Sequence, residues 1–187
     1  MQIENTKSAY GWAAITLHWI AAIGVIAMFW LGIQAYLAEQ AHDMAARRAA
    51  MGMHVSLGMT LFVFLAARVV WHYAQPRPAK PPQAGWLNAI ASITQNLLLI
   101  AIAVQIVSGP LAVWSGGRPI NVFGLVSLPS PFPARNQGVH EIAEIAHAIG
   151  RLVILVVVPL HVLGALKHVV IDRDNTLQRM LWVRKDA

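Results

Sequence analysis

The sequence predicts an all-α membrane protein, a four-helix transmembrane bundle with up-down topology. Of its 187 residues, 57% are hydrophobic and 12% are charged, whereas about 25% are charged in an ordinary soluble domain. Lys, Arg, Asp and Glu are absent from four stretches, residues 8–38, 49–67, 81–117 and 152–166. A transmembrane helix needs about 20 mostly apolar residues, and flanking basic side chains that snorkel can lengthen the shorter stretches. We therefore predict spans near residues 12–37, 51–74, 88–113 and 147–170, within one transmembrane domain of residues 1–187.

The ends of these spans carry further signals. The first span follows Lys7, as a signal peptide would, but it is longer than the usual apolar region and contains His18, so we expect it in the mature protein. The second span ends at a proline-rich connector, residues 75–82, because proline cannot continue a helix. The third ends near Trp114, and the longer loop that follows is a candidate functional loop. The fourth helix is expected to start early, since residues 138–148 have helical spacing.

Basic residues indicate the orientation. Nine fall on the side of both termini: Lys7, Arg68, Arg77, Lys80, Lys167, Arg173, Arg179, Arg184 and Lys185. Five fall on the other side: Arg47, Arg48, Arg118, Arg135 and Arg151. This asymmetry predicts that both termini are cytoplasmic, where the basic tail suits an anionic leaflet. We expect contact with membrane lipid and no nucleic-acid partner.

Histidines supply the candidate chemistry. His147 and His161 are fourteen residues apart, close to four helical turns, so they share one helix face about 21 Å apart. His18 and His54 lie in two other predicted spans. In an up-down bundle, His18 and His161 lie toward the side of the termini, and His54 and His147 lie toward the other side. The sequence therefore predicts two facing pairs of histidines.

Two imidazoles suit a haem better than zinc. A zinc site needs four ligands, and the spans offer no acidic residue near either pair. A haem iron takes four ligands from the porphyrin and two axial ligands from the protein. Because the chain has no cysteine, covalent c-type attachment is excluded. We therefore predict two non-covalent haems b in the bundle core. The alternative for any single histidine is a structural one that hydrogen bonds to a backbone carbonyl.

Three further residues belong to the predicted haem environment. Gly58, one turn after His54, can let a flat macrocycle approach the backbone, or it can serve ordinary helix packing. Arg68, fourteen residues after His54, lies at the depth of the His18–His161 pair, where it can bind a haem propionate. Arg151, one turn after His147, can do the same for the other haem. Either arginine can instead be a snorkelling residue at a helix end.

At this point the chain resembles the bacterial cytochrome b561 family over nearly its whole length. The matching stretches are Ile15–Trp19, Met53–Gly58 with Arg68, Ser115–Pro119 with Phe123–Leu125, His147 with Leu160–Val162, and Asp174–Met180. The resemblance implies the same axial pairs, His18 with His161 and His54 with His147. It also implies a multi-pass protein of the bacterial inner membrane. Family members often have a histidine in the third helix, where this chain has Gln95, which is a poor haem ligand.

The best-studied branch of that family is implied to be a superoxide oxidase, which passes electrons from superoxide through two haems to ubiquinone. For this chain, we predict that four arginines on the outer side raise the encounter rate with superoxide: Arg47, Arg48, Arg118 and Arg135. We predict that the quinone lies by the cytoplasmic haem, near Thr16, His168 and Lys80. This reaction would make the chain a superoxide:quinone oxidoreductase.

A second function remains open. The chain can be a non-enzymatic electron conduit, a membrane anchor between the quinone pool and a partner dehydrogenase, hydrogenase or soluble cytochrome. The loop from Trp114 to Gly138 would then be the docking surface. A haem sensor is disfavoured, because two axial histidines leave no open coordination position.

Overall fold

The structure is a computed structural model that describes residues 2–81 and 83–182. It contains the four long helices that the sequence predicts: α1 (Trp12–Gln40), α2 (Met44–Ala74), α3 (Gly85–Ser115) and α4 (Gln137–Lys167). All four are long and apolar enough to cross a membrane. The prediction of an all-α four-helix transmembrane bundle is therefore confirmed. Pro82 in the connector and the basic residues Arg184 and Lys185 lie outside the described residues.

α2 begins at Met44, well before its predicted span, whereas α4 begins at Gln137, close to the early start that the sequence predicts. Polar side chains cap both helices. Asp43 accepts hydrogen bonds from the backbone N–H groups of Ala45 and Ala46 at 3.1 and 2.9 Å, which starts α2. Asn136 accepts from the N–H of Val139 at 3.2 Å, which starts α4. His54 and His147 therefore lie inside their helices rather than at their first turns.

The bundle consists of two helical hairpins. α1 packs along α2, α3 packs along α4, and α2 joins the two hairpins through α3. Gly24 in α1 faces the side chain of Leu61 in α2, and this contact fixes the antiparallel register. His18 lies six residues before Gly24, and Arg68 lies seven residues after Leu61. This antiparallel register therefore places His18 level with Arg68. We call this end of the bundle the termini end, and the end with the α1–α2 turn the hairpin end.

A small β-hairpin covers part of the hairpin end, which the sequence did not predict. Strands β1 (Ile120–Val122) and β2 (Val126–Leu128) pair antiparallel within the loop after α3. Its turn has positive φ angles at Phe123 (51°) and Gly124 (72°). Ser56 of α2 anchors it, donating to the carbonyl of Asn121 at 3.1 Å and accepting from the N–H of Phe123 at 2.9 Å. These bonds hold the β-hairpin against α2 at Ser56, which lies two residues after His54 in the sequence.

Three chain segments meet at the termini end. The N–H of Ala79 in the connector donates to the carbonyl of Lys7 at 2.9 Å. Arg179 near the C-terminus donates to the carbonyls of Ala79 and Ser8 at 2.9 and 3.4 Å. Trp19 of α1 donates to the carbonyl of Met180 at 2.7 Å. The tail after α4 is thereby held against the start of α1.

Candidate functional site

The structure brings the four histidines into the two predicted pairs. The ring centroids of His18 and His161 are 6.1 Å apart, and those of His54 and His147 are 6.3 Å apart. Two imidazoles that bind one metal ion from opposite sides, with metal–nitrogen bonds of about 2 Å, have centroids roughly 6 Å apart. Over the described residues, α4 packs extensively against neither α1 nor α2, so each pair joins helices whose backbones stay apart. This spacing suits a flat group inserted between the two rings.

Hydrogen bonds fix the tautomers of the pair at the hairpin end. His54 Nδ1 lies 3.1 Å from the carbonyl oxygen of Met28, which only accepts, so Nδ1 carries the proton. His147 Nδ1 lies 3.2 Å from Ser108 Oγ, whose own hydrogen goes to the carbonyl of Val104 at 2.6 Å. His147 Nδ1 is therefore a donor as well. Both Nε2 atoms keep a lone pair for a metal, which is the usual outer-shell arrangement of ligating histidines.

Glycines of neighbouring helices lie in contact range of these two rings. A Cβ atom at Gly109 would lie 3.4 Å from His147 Cε1, and one at Gly32 would lie 3.9 Å from the His54 ring. At Gly58, which we predicted to lie in the haem environment, a Cβ would instead meet Met28 Cε at 3.2 Å. Gly58 therefore admits the Met28 side chain, whose backbone carbonyl holds His54.

The pair at the termini end has cationic and unpaired polar neighbours. The charge of Arg68 acts on both His18 and His161, and no described acidic side chain forms a salt bridge with it. His72 lies one turn beyond Arg68 on the same face of α2, and its Nε2 atom is buried without a hydrogen-bond partner. A buried polar group left unsatisfied costs about 1–3 kcal/mol, and a carboxylate would accept from both residues. The site therefore fits a b-type haem, with two axial imidazoles and donors for its propionates.

The predicted quinone residues are only partly brought together. His168 is nearly buried, and its Nδ1 lies 2.8 Å from Asp174 Oδ2. Asp174 and Lys80 line one polar cavity of about 290 Å³, and Lys80 donates to Ser92 Oγ at 2.8 Å. Thr16 is exposed on α1 and does not belong to the described lining of this cavity. The sequence did not identify Asp174 as a partner of His168.

The arginines predicted to steer superoxide differ in their exposure and in whether an acidic side chain offsets their charge. Arg48, Arg118 and Arg135 are exposed, and the backbone of Arg135 lies beside Gly117, so the loop brings Arg118 and Arg135 close in the fold. Arg47 forms a salt bridge of 3.4 Å with Glu39, which offsets part of its charge. Arg151 is exposed, and its charge acts on His147.

Fold and site together define a transmembrane protein whose helices present two facing imidazole pairs for b-type haem. The family model described as "Prokaryotic cytochrome b561" matches residues 9–182. The chain is also 31% identical to cytochrome b561 homolog 2 of Escherichia coli (strain K12) over 182 residues, which cover 97% of this chain and 95% of that protein. The chain belongs to the prokaryotic cytochrome b561 family. It is therefore a multi-pass bacterial membrane cytochrome of the b type that acts in electron transfer.

Proposed function

We propose that this cytochrome is a superoxide:quinone oxidoreductase. It oxidises superoxide at the hairpin end, moves electrons across the bilayer, and reduces ubiquinone at the termini end. The observation that carries the proposal is the pair of facing imidazole sites on α4, which lie about 21 Å apart along its axis by the rise of the helix. Two stacked sites of this kind are what electron transfer from one membrane face to the other requires.

Each pair would bind one haem b. When bound, each haem supplies a site that takes up and releases one electron. His54 and His147 hold one haem, with their rings oriented by the Met28 carbonyl and the Ser108 hydroxyl. His18 and His161 hold the other. Arg68 and His72 would donate to propionate carboxylates at that second site, and Arg151 would provide positive charge beside the first.

The hairpin end attracts superoxide through its exposed arginines. Superoxide is a small anion, and a cluster of like charges raises the local concentration of a counter-ion. Arg48, Arg118 and Arg135 are the main contributors, because Arg47 is paired with Glu39. Two superoxide anions give up two electrons and leave as two molecules of dioxygen.

The termini end serves ubiquinone. One quinone takes two electrons and two protons to form quinol, so the site needs a proton donor as well as an electron supply. His168 is the titratable side chain that we assign to this role, with Lys80 and Thr16 as hydrogen-bonding neighbours. Because basic residues are more numerous at the termini end, we also propose that both termini are cytoplasmic. We further propose that residues 1–187 act as one domain in the inner membrane.

An electron conduit is the second candidate, and the exposed apolar hairpin favours it. Leu125 at its turn is 86% exposed, and Phe123 and Val126 beside it are about half exposed. An apolar patch on a protein surface often marks a docking site for a partner protein. In this function, a soluble cytochrome or a dehydrogenase would exchange electrons with the haem nearest the hairpin.

Stopped-flow spectroscopy separates the two candidates. The purified protein with its haems is mixed with superoxide, and then the reduced protein is mixed with a short-chain ubiquinone. The oxidoreductase reduces its haems rapidly with superoxide alone and is reoxidised by quinone. A conduit reacts slowly with superoxide at any salt concentration and is reduced quickly only by quinol or a partner protein.

A further inference from the structure

The chain makes an unusual turn directly after α4. Residues His168–Asp172 form a π-helical turn, and Arg173 then adopts a left-handed conformation with a φ of 51°. This reversal lets the N–H of Asp174 donate to the carbonyl of His168 at 3.1 Å. Single π-helical turns occur frequently at functional sites. Here, the turn folds the Asp174 carboxylate back onto the His168 ring.

Asp174 and His168 form a hydrogen-bonded dyad. Asp174 Oδ2 lies 2.8 Å from His168 Nδ1, and Asp172 Oδ2 lies 3.0 Å from the same nitrogen. A carboxylate only accepts hydrogen bonds, so Nδ1 carries a proton and Nε2 is the nitrogen left for proton exchange. Lys167 forms a salt bridge with Asp172, which leaves Asp174 as the carboxylate directed mainly at His168.

Asp174 is itself held in place and ionised. Its Oδ1 accepts from the N–H of Thr176 at 2.8 Å. Partial burial opposes ionisation, but hydrogen bonds from the hydroxyl and N–H of Thr176 and from His168 outweigh it and hold the pKa of Asp174 below its usual value. The carboxylate is therefore an anion near neutral pH.

The Asp174 side of the dyad borders a polar cavity that reaches the surface at the termini end. Asp174, Asn175 and Thr176 line this cavity of about 290 Å³ together with residues of the connector and the tail. Its charged lining residues are Asp174, Lys80 and Arg179, and the charged neighbours of His168 on its own segment are Lys167, Asp172 and Asp174. Water in this cavity would contact Asp174 from the side of the termini.

We propose that Asp174 is a positioning residue that prepares His168 to deliver protons to the quinone. This role rests on the proposed quinone reduction. In each transfer, the His168 Nε2–H bond breaks and an O–H bond forms on the reduced quinone, while Nδ1–H stays hydrogen bonded to Asp174. The carboxylate compensates the charge of the imidazolium before transfer, and a proton from water at the termini end restores the Nε2–H bond afterwards. The electrons come from superoxide through the haems.

The matched variants are Asp174→Asn, which keeps the size but loses the charge, and Asp172→Asn, which removes the other carboxylate. Asp174→Glu restores the charge. We expect Asp174→Asn to leave haem reduction by superoxide unchanged but to slow haem reoxidation by ubiquinone on the order of tenfold, with a changed pH profile. Asp172→Asn should have a smaller effect, and Asp174→Glu should recover much of the rate.

Nitrogen-15 NMR of histidine-labelled protein gives a readout that does not depend on activity. His168 is assigned by its loss in His168→Gln. The dyad predicts a His168 whose neutral form carries its proton on Nδ1. In Asp174→Asn this preference should weaken, although Asp172 still accepts from Nδ1. A wild-type His168 protonated on Nε2 instead would overturn the proposal, whether or not the variants fold.

The kinetic outcomes distinguish the positioning role of Asp174 from the proposed quinone reduction on which that role rests. Wild-type protein whose reduced haems do not react with quinone would contradict the proposed function, and the role with it. Wild-type protein that reacts while Asp174→Asn matches it at every pH would contradict the role of Asp174 alone. That role is equally contradicted if Asp172→Asn slows reoxidation as much as Asp174→Asn does.

Discussion

Ser108 Oγ lies 3.2 Å from His147 Nδ1 and donates its own hydrogen to the carbonyl of Val104, so the serine accepts from the histidine. α3 thus contributes a hydroxyl to the site at the hairpin end, although it contributes no histidine. Thr94 lies fourteen residues before Ser108 and is buried, and the register of α3 against α4 places it level with His161. Thr94 and Ser108 therefore have the same spacing along α3 as His147 and His161 have along α4.

Replacing Ser108 by alanine should weaken one haem site. His147 loses the acceptor that orients its ring, and loss of such an outer-shell partner typically lowers metal affinity 10- to 100-fold. Haem retention during dilution and the midpoint potential of each haem measure the effect, which should be confined to the haem at the hairpin end. Ser115→Ala is the matched control, because Ser115 makes the same backbone bond and lies near His140, which we do not assign as a ligand. Equal effects of the two substitutions would contradict this role for Ser108.

Alanine substitutions of the four histidines should fall into two classes. His18→Ala and His161→Ala each remove the haem at the termini end, and His54→Ala and His147→Ala each remove the other. Difference spectra and potentiometric titration identify which component is lost. If His18→Ala and His54→Ala deplete the same component, the proposed pairing is incorrect.

Arg68→Gln should lower the midpoint potential of the haem at the termini end. A cation near the haem favours the reduced state, which carries one more negative charge, and Arg68 acts on both histidines of that pair. Arg151→Gln is the matched comparison at the other site, where its effect should be smaller because Arg151 is exposed and screened by salt. Redox titration of both variants checks this, and a shift in the wrong haem would argue against the assignment.

Replacing Arg118 and Arg135 together by glutamine should slow haem reduction by superoxide and flatten its salt dependence. Electrostatic steering weakens as the Debye length falls from about 30 Å at 0.01 M to about 10 Å at 0.1 M salt. Both haems should be retained, since neither arginine contacts the histidine pairs in the structure described. A rate that is independent of salt in the wild-type protein would contradict steering.

The sequence was sufficient to predict the four spans and the histidine pairs. Both follow from local patterns, namely the length of stretches without charged residues and the spacing of histidines along a helix. The sequence indicated the early start of α4 near residue 138, but it was insufficient for the start of α2 at Met44, which depends on a cap by Asp43. It also gave no sign of the bond from His54 to Met28, since any residue provides a carbonyl. Tertiary contacts of this kind become visible only when the register of neighbouring helices is known.

The roles proposed for His72 and Asp174 were not predicted from the sequence, for a different reason. The position of His72 near a span end favours an interfacial histidine, although it lies five full turns after His54 and thus on the same face of α2. Asp174 belongs to one of the stretches that carry the family resemblance, but its contact with His168 requires a π-helical turn and a left-handed residue. Neither of these backbone features has a clear signal in the residues that form it.

We expect each facing histidine pair to ligate one haem b, and the haem content of the purified protein measures this without any partner or substrate. A pyridine haemochrome assay, combined with a quantitative protein determination, should give two haems b per chain. The visible spectrum should be six-coordinate and low-spin in both oxidation states, because both axial positions are imidazole. One haem per chain, or none, would contradict the account.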